Sequence, residues 1–218
     1  MPGGYARPVT TEPEADGRAR PSGRAAVMDA VLDAATELIA DRGPNAVTVR
    51  AIAERAGVNH ALVHRYFGSK EDLIGAVIAR EVAYFRRLAE GEGGTTEVFG
   101  RLLRGLSAHD AYVRFLARAI LDGYRAGQLK LDFVLFRDVL GIVEPNVPLV
   151  AAEGTPDVRI VVAALGSMAL GWRIFGDFLA AGLGLDTMPP AQLDSAIDGF
   201  ITSVLLARPA DRIPGGET

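Results

Sequence analysis

The chain has 218 residues, a net charge of −4 and no cysteine, which excludes disulfides, thiolate metal sites and a cysteine nucleophile. Hydrophobic residues make up 49% and charged residues 23% of the chain, which is typical of a soluble globular protein. No apolar run approaches the ~18 residues of a membrane span and the first ~20 residues lack the apolar segment of a signal peptide, so we predict a cytoplasmic protein without a membrane partner.

Residues 1–21 are predicted to form a disordered arm, because proline, glycine and charged residues dominate them and they lack apolar periodicity. Arg18, Arg20 and Arg24 lie just ahead of the first predicted helix or in its first turn. Two interpretations fit these arginines. They belong either to a solvated tail or to an arm that reaches the DNA minor groove, as in some DNA-binding proteins.

The stretch from Thr48 to Asp72 predicts two short helices joined by a tight turn and followed by a longer helix. Thr48 and Asn59 are good N-cap residues for the two short helices, and Gly57 suits the left-handed conformation at the end of the first. Ser69 and Asp72 have the spacing of a capping box at the start of the third. Such a helix-turn-helix places its second helix in the major groove of DNA.

The segment resembles the DNA-binding motif of the tetracycline-repressor (TetR) family. The resemblance rests on Ala56-Gly57-Val58, Tyr66-Phe67 and Ser69-Lys70-Glu71-Asp72-Leu73, and it covers residues 24–88. It implies an all-α fold with an N-terminal three-helix domain, which contains the helix-turn-helix, and a C-terminal helical domain for ligand binding and dimerisation. It also implies a homodimeric transcriptional regulator, usually a repressor, that binds a palindromic operator and is released by a small-molecule effector.

Two DNA-facing positions depart from the family. Leu62 stands where Thr is common and His64 where Tyr is usual, so the family's operator sequences are not carried over. Tyr66 resembles the family's phosphate-contacting Tyr, although its ring also suits the core.

Charged and apolar residues around the second helix are suited to different parts of DNA. Arg50 and Lys70 lie near helix N-termini and suit phosphates. Arg65 can hydrogen-bond to guanine, and Ala61 or Leu62 can contact a thymine methyl group. In the alternative interpretation, Leu62 belongs to the core and Arg65 contacts only phosphate. The predicted DNA-binding residues are Thr48, Arg50, Asn59, His60, Ala61, Leu62, His64, Arg65, Tyr66 and Lys70.

Other chemistry finds little support in the sequence. His60 and His64 have the i, i+4 spacing of two zinc ligands, but Ala61 stands where a metalloprotease has Glu. We therefore predict no metal and no cofactor. No Ser/His/Asp set, glycine-rich phosphate loop or carboxylate pair stands out. An enzyme and a helix-turn-helix that only docks proteins remain the alternatives.

The charge is divided along the chain. Residues 18–88 carry a net charge of +3 and residues 89–218 a net charge of −5. A chance fluctuation explains the positive part as well as DNA binding does, but that part coincides with the motif. The glycine-rich residues 90–94 indicate a flexible connection. The predicted divisions are a disordered arm (1–21), a DNA-binding domain (22–89), an effector-binding and dimerisation domain (90–208) and a tail (209–218).

The remaining patterns are helical. Ser22 is predicted to cap the first helix and Gly43-Pro44 to end it. Outside the helix-turn-helix, helices are predicted over residues 23–41, 69–88, 95–107, 109–126, 157–182 and 190–208, with a shorter helix inside 128–153.

The helix over residues 157–182 has two apolar faces at ~100° per residue. The bulky face, with Trp172 at its centre, is predicted to line the pocket for a hydrophobic or aromatic effector that the resemblance implies. Ordinary core is the alternative for each residue. The predicted pocket residues are Phe99, Leu103, Tyr112, Phe115, Leu116, Tyr124, Phe136, Met168, Trp172 and Phe175.

The second face of this helix carries small residues that let another backbone approach, and the last helix repeats the spacing. These faces predict a four-helix interface between two subunits; the alternative is a monomer with a thick core. The predicted interface residues are Ala163, Ser167, Gly171, Phe178, Gly199, Phe200 and Ser203.

Overall fold

The computed structural model describes residues 21–90, 92–125, 134–143 and 157–206, and every regular element in these ranges is helical. The helices are α1 (Arg24–Arg42), α2 (Val49–Arg55), α3 (His60–Phe67), α4 (Lys70–Ala89), α5 (Thr95–Ala108), α6 (Asp110–Leu121), α7 (Val134–Val143), α8 (Val158–Leu183) and α9 (Pro190–Leu206). A 3₁₀ turn, Pro44–Ala46, lies between α1 and α2. The predicted all-α fold class is confirmed. Residues 1–20 of the predicted arm and the tail from 209 lie outside the described residues.

Local hydrogen bonds cap the N-termini of the two helices in the helix-turn-helix. Thr48 Oγ1 accepts from the Ala51 amide at 3.1 Å, and Asn59 Oδ1 accepts from the Ala61 amide at 2.8 Å. Gly57 has a φ of 67°, as the tight turn requires. These caps satisfy amides that a helix N-terminus otherwise leaves unpaired.

Two predicted helix ends are corrected. The N-cap of α1 is Gly23, with no side-chain hydrogen bond, rather than Ser22. Helix α6 ends at Leu121, short of the predicted residue 126, because the chain turns at Gly123, whose φ is 89°. The capping box at Ser69 forms as predicted, since its hydroxyl and the carboxylate of Asp72 each accept from the other residue's amide.

One continuous core joins the helix-turn-helix to the following helices. Ile52 and Val63, from α2 and α3, are buried in the same cluster as Phe115 and Ala119 of α6. Helix α6 packs against α1, and α4 packs against α5. The core extends across these helices because α4 packs against α1 and α3 and also against α5 and α7.

Helices α8 and α9 pack through apolar residues and through a paired charge. Arg173 of α8, whose side chain is 7% exposed, bonds Asp194 and Asp198 of α9 at 3.0 Å each. The ion pairs allow its burial, since each carboxylate compensates the desolvated charge. Burial raises the pKa of Asp198, although Arg173 opposes that shift.

Candidate functional site

Helix α3 presents a polar surface and is held by a single fully buried side chain, Val63. Most of the predicted DNA-binding residues are accessible to solvent. The exposed members are Thr48, Arg50, Asn59, His60, Ala61, His64 and Arg65, and the half-buried members are Leu62, Tyr66 and Lys70.

Several of these side chains already have partners within the chain. Arg50 Nε bonds Glu54 Oε1 at 3.0 Å. The ammonium of Lys70 donates to the carbonyl of Pro44, which lies in the turn ahead of α2. The guanidinium of Arg24 lies 5.5 Å from the centre of the Tyr66 ring. Arg65 makes no hydrogen bond or ion pair within the described ranges, which leaves its guanidinium available to DNA.

The two histidines of α3 bond each other. His64 Nδ1 lies 3.0 Å from the carbonyl oxygen of Gly68, and His64 Nε2 lies 3.1 Å from His60 Nε2. A carbonyl oxygen can only accept, so neutral His64 carries its proton on Nδ1 and accepts from His60. No group of three metal-ligating side chains occurs among the residues the structure describes. The hydrogen bond holds the two imidazole rings close together.

A cavity of about 400 Å³ lies between α4, α5, α6, α7 and α8. Most of its lining is apolar, as in pockets that bind small hydrophobic molecules. Five predicted pocket residues line it, namely Phe99, Leu103, Tyr112, Leu116 and Phe136. The sequence analysis missed the walls contributed by α4 (Ile78, Val82, Phe85) and by α8 (Val162, Leu165, Ala169).

The structure places the other five predicted pocket residues outside this cavity. Phe115 is fully buried in the core between α1 and α6. Tyr124 follows α6 and lies near α4, where burial and then the charges of Glu71 and Asp122 raise its pKa. Met168 and Phe175 are exposed on α8.

Trp172 has a different position from the one the sequence predicted. Its indole Nε1 donates to Asp194 Oδ1 at 2.8 Å, and its ring covers Gly176. It lines a separate polar cleft between α8 and α9. Helix α8 turns its smaller apolar residues, such as Leu165 and Ala169, toward the cavity instead.

Polar side chains in and near the cavity wall form bonds between neighbouring helices. Arg86, in the cavity wall, bonds Asp138 of α7 at 3.0 Å. Tyr112 is buried in the wall, and burial together with the charge of nearby Glu81 raises its pKa. Glu81 of α4 is itself 3% exposed and lies 2.5 Å from Nδ1 of His109 at the junction of α5 and α6.

A broad apolar surface remains uncovered on α8 and α9. Phe178 is 77% exposed and Phe200 58% exposed. Ser167 and Ser203 donate to carbonyls of their own helices, so neither hydroxyl needs a partner. Six of the predicted interface residues are exposed, namely Ala163, Ser167, Phe178, Gly199, Phe200 and Ser203, and Gly171 is half-buried.

The length and composition of α8 would also allow it to cross a membrane, and no other helix in the described part of the chain meets that test. Only 22% of its most apolar window is buried within the single chain. Length and hydropathy do not distinguish such a helix from one that is buried in a protein interface.

Comparison with known proteins identifies relatives over most of the chain. The profile of the family described as bacterial regulatory proteins, tetR family, matches residues 31–77. The HTH-type transcriptional repressor Rv3405c of Mycobacterium tuberculosis (strain ATCC 25618 / H37Rv) is 36% identical over 197 residues, which cover 90% of this chain and 98% of the relative. The HTH-type transcriptional regulator BetI of Brucella abortus (strain 2308) is 50% identical over 187 residues, covering 83% and 92%. The structure of a TetR-like transcriptional regulator from Rhodococcus sp. RHA1 shares the fold, with a TM-score of 0.58 and 20% identity over 86% of this chain and 100% of that one.

Proposed function

The chain belongs to the tetR family of bacterial regulatory proteins, which are transcriptional regulators and not enzymes, and we propose that it is a cytoplasmic homodimer that binds a near-palindromic operator and is released from it by a hydrophobic effector. Repression is the proposed action, since the Mycobacterium relative is named a repressor. One observation carries the proposal. Helix α4 begins beside the helix-turn-helix and then forms a wall of the cavity, so one element contacts both sites.

The geometry of α4 supplies a physical route for release. Leu73 and Ile74, near its start, pack in the core with α2 and α3, whereas Val82 and Phe85 line the cavity. A ligand that binds better when α4 is displaced stabilises an arrangement in which the two α3 helices no longer fit the operator. Its differential affinity for the two arrangements sets the loss of DNA affinity.

Dimerisation is proposed from the apolar surface of α8 and α9. A single helix-turn-helix reads few base pairs, whereas two of them ~34–36 Å apart read successive major grooves. The exposed phenylalanines Phe178 and Phe200 lie where a second copy of the chain would cover them. An interface on α8 also accounts for its high hydropathy without a membrane.

The decisive experiment is selection of bound duplexes from random DNA, followed by footprinting. We expect an inverted repeat with half-sites one helical turn apart, protected by a dimer. Enrichment of no sequence would overturn the regulator proposal and leave a docking role for the helix-turn-helix.

Arg65 is expected to carry sequence recognition. Removing a guanidinium that reads a base edge costs ~1–3 kcal/mol and relaxes specificity at that position. Arg65→Ala should therefore weaken binding to the selected operator much more than binding to random DNA. Arg50→Ala is the matched control, because it removes the same charge from a side chain already paired with Glu54. Binding titrations of both variants on both duplexes at several salt concentrations measure the difference. Equal losses on operator and random DNA would assign Arg65 to phosphate.

Filling the cavity is expected to remove the effector response. Gly166 lines the cavity, and a Cβ added there meets no atom within 4 Å. The Gly166→Phe variant should therefore fold, and its phenylalanine ring should occupy the cavity. Hydrophobic compounds should then no longer release this variant from DNA. Trp172→Phe is the control, because its ring lies outside the cavity. A library of hydrophobic aromatic compounds, tested for release of labelled operator, supplies the measurement. An unchanged response in the Gly166 variant would place the effector elsewhere.

A further inference from the structure

The turn ahead of the helix-turn-helix is held by a residue from outside the DNA-binding segment. This turn, Gly43–Ala46, joins α1 to the residue that caps α2. Asp122 follows directly after α6 and is far from the turn in sequence. The Asn45 amide donates to Asp122 Oδ2 at 3.2 Å, and Asn45 Nδ2 donates to the Asp122 carbonyl at 3.4 Å.

The backbone conformation of Gly43 and its lack of a side chain permit this contact. Its φ of 77° favours glycine, and a Cβ there would lie 2.6 Å from Asp122 Oδ2. No side chain fits at that distance, so the absence of one lets the carboxylate approach. From another direction, the ammonium of Lys70 bonds the carbonyl of Pro44. The turn is therefore fixed by the start of α4 and by the end of α6.

The end of α6 is well placed to control the turn. Phe115 and Ala119 bury one side of α6 in the core beside α1, so the helix is firmly seated. On another side, Tyr112 and Leu116 line the cavity. Leu116 lies ~9 Å along the helix axis from Asp122 at 1.5 Å per residue. A contact at the cavity wall and the contact at the turn thus belong to the same rigid element.

We propose that Asp122 is a positioning residue for DNA recognition, which fixes the turn Gly43–Ala46 and, through it, the orientation of α2 and α3. The inference rests on the proposed function, because it concerns DNA affinity. Electrostatics and positioning make opposite predictions for this residue. A carboxylate close to the DNA-binding segment repels phosphates, so loss of its charge alone would strengthen binding.

The test compares three single variants on the selected operator. Asp122→Ala removes both the charge and the acceptor for the Asn45 amide, and we expect about three- to tenfold weaker binding, the value of one net hydrogen bond. Asp122→Asn keeps an acceptor oxygen and should bind within about twofold of the wild type. Asp110→Ala is the charge control, since it removes a half-buried carboxylate, paired with Arg114, from the opposite end of α6. It should not weaken binding.

A second readout does not involve DNA. Exchange of the Asn45 amide, followed by NMR, should accelerate in Asp122→Ala and stay slow in Asp122→Asn, while thermal melts of all variants remain close to that of the wild type. Operator binding by Asp122→Ala that equals or exceeds the wild type would overturn the proposal, as would unchanged exchange at Asn45. If the wild type prefers no DNA sequence while the exchange result holds, the proposed function fails and the contact at the turn stands.

Discussion

Phe178→Asp is expected to convert the proposed dimer to monomers. The Phe178 side chain is 77% exposed in the single chain, and Ile174, on the same side of α8, is also exposed. Burying a phenylalanine contributes ~1.5–3 kcal/mol, and a symmetric interface contains two copies. The aspartate additionally introduces a charge without a partner. The dimer dissociation constant should therefore rise by at least ~100-fold, which sedimentation velocity over a concentration series measures.

Operator affinity should fall together with dimerisation, because a monomer contacts one half-site. Leu183→Asp is the matched control. Leu183 is also exposed on α8 but lies ~140° around the helix from Phe178. It should leave the dimer intact.

Gly171→Leu provides an independent test of the same surface. A Cβ at Gly171 meets no atom within 4 Å in the single chain, so the variant should fold as a monomer. A partner helix approaching this position would be overpacked by leucine. A dimer that survives both Phe178→Asp and Gly171→Leu would place the subunit contact on another surface.

Local chemistry explains why the helix-turn-helix was predictable. The bonds that begin α2 and α3 join residues two or three positions apart, from Thr48 to Ala51 and from Asn59 to Ala61. Residue types at that spacing are visible in the sequence itself. The TetR resemblance then supplied the role of the segment, which no local pattern could supply.

The cavity was only half predictable, because periodicity identifies the faces of a helix and not their neighbours. Helix α8 has two apolar faces, and the bulkier one, with Trp172, was assigned to the cavity. The structure turns Leu165 and Ala169 inward instead, while Trp172 bonds Asp194. Burial of a given face depends on how α4, α5 and α7 pack, and no spacing within α8 encodes that.

Long-range polar contacts could not be predicted from the sequence, for a related reason. Lys70 has the position of a phosphate-binding residue, yet its ammonium bonds Pro44, 26 residues away. Asn45 and Asp122 are 77 residues apart. A single sequence shows which groups can donate or accept, and only the fold brings a particular donor to a particular acceptor.

We expect His109→Ala to lower the free energy of unfolding more than any other substitution proposed, because His109 is a partner of the buried carboxylate of Glu81. Glu81 is 3% exposed, and His109 Nδ1 lies 2.5 Å from its Oε2. The other partner of Glu81, Arg80, is more distant at 3.4 Å and also bonds Asp33. Glu81 is buried while the His109 side chain is 30% exposed, and removing the closest hydrogen-bond donor of a buried carboxylate costs about 3 kcal/mol, because that carboxylate stays desolvated.

Chemical and thermal unfolding of matched variants measures this loss. His109→Ala should lower the Tm by roughly 6–12 °C. His109→Asn should recover much of it, because the asparagine amide can donate from about the position of Nδ1. His60→Ala removes an exposed histidine and should change the Tm little. A His109→Ala protein that melts with the wild type at neutral pH would show that Arg80 alone satisfies Glu81.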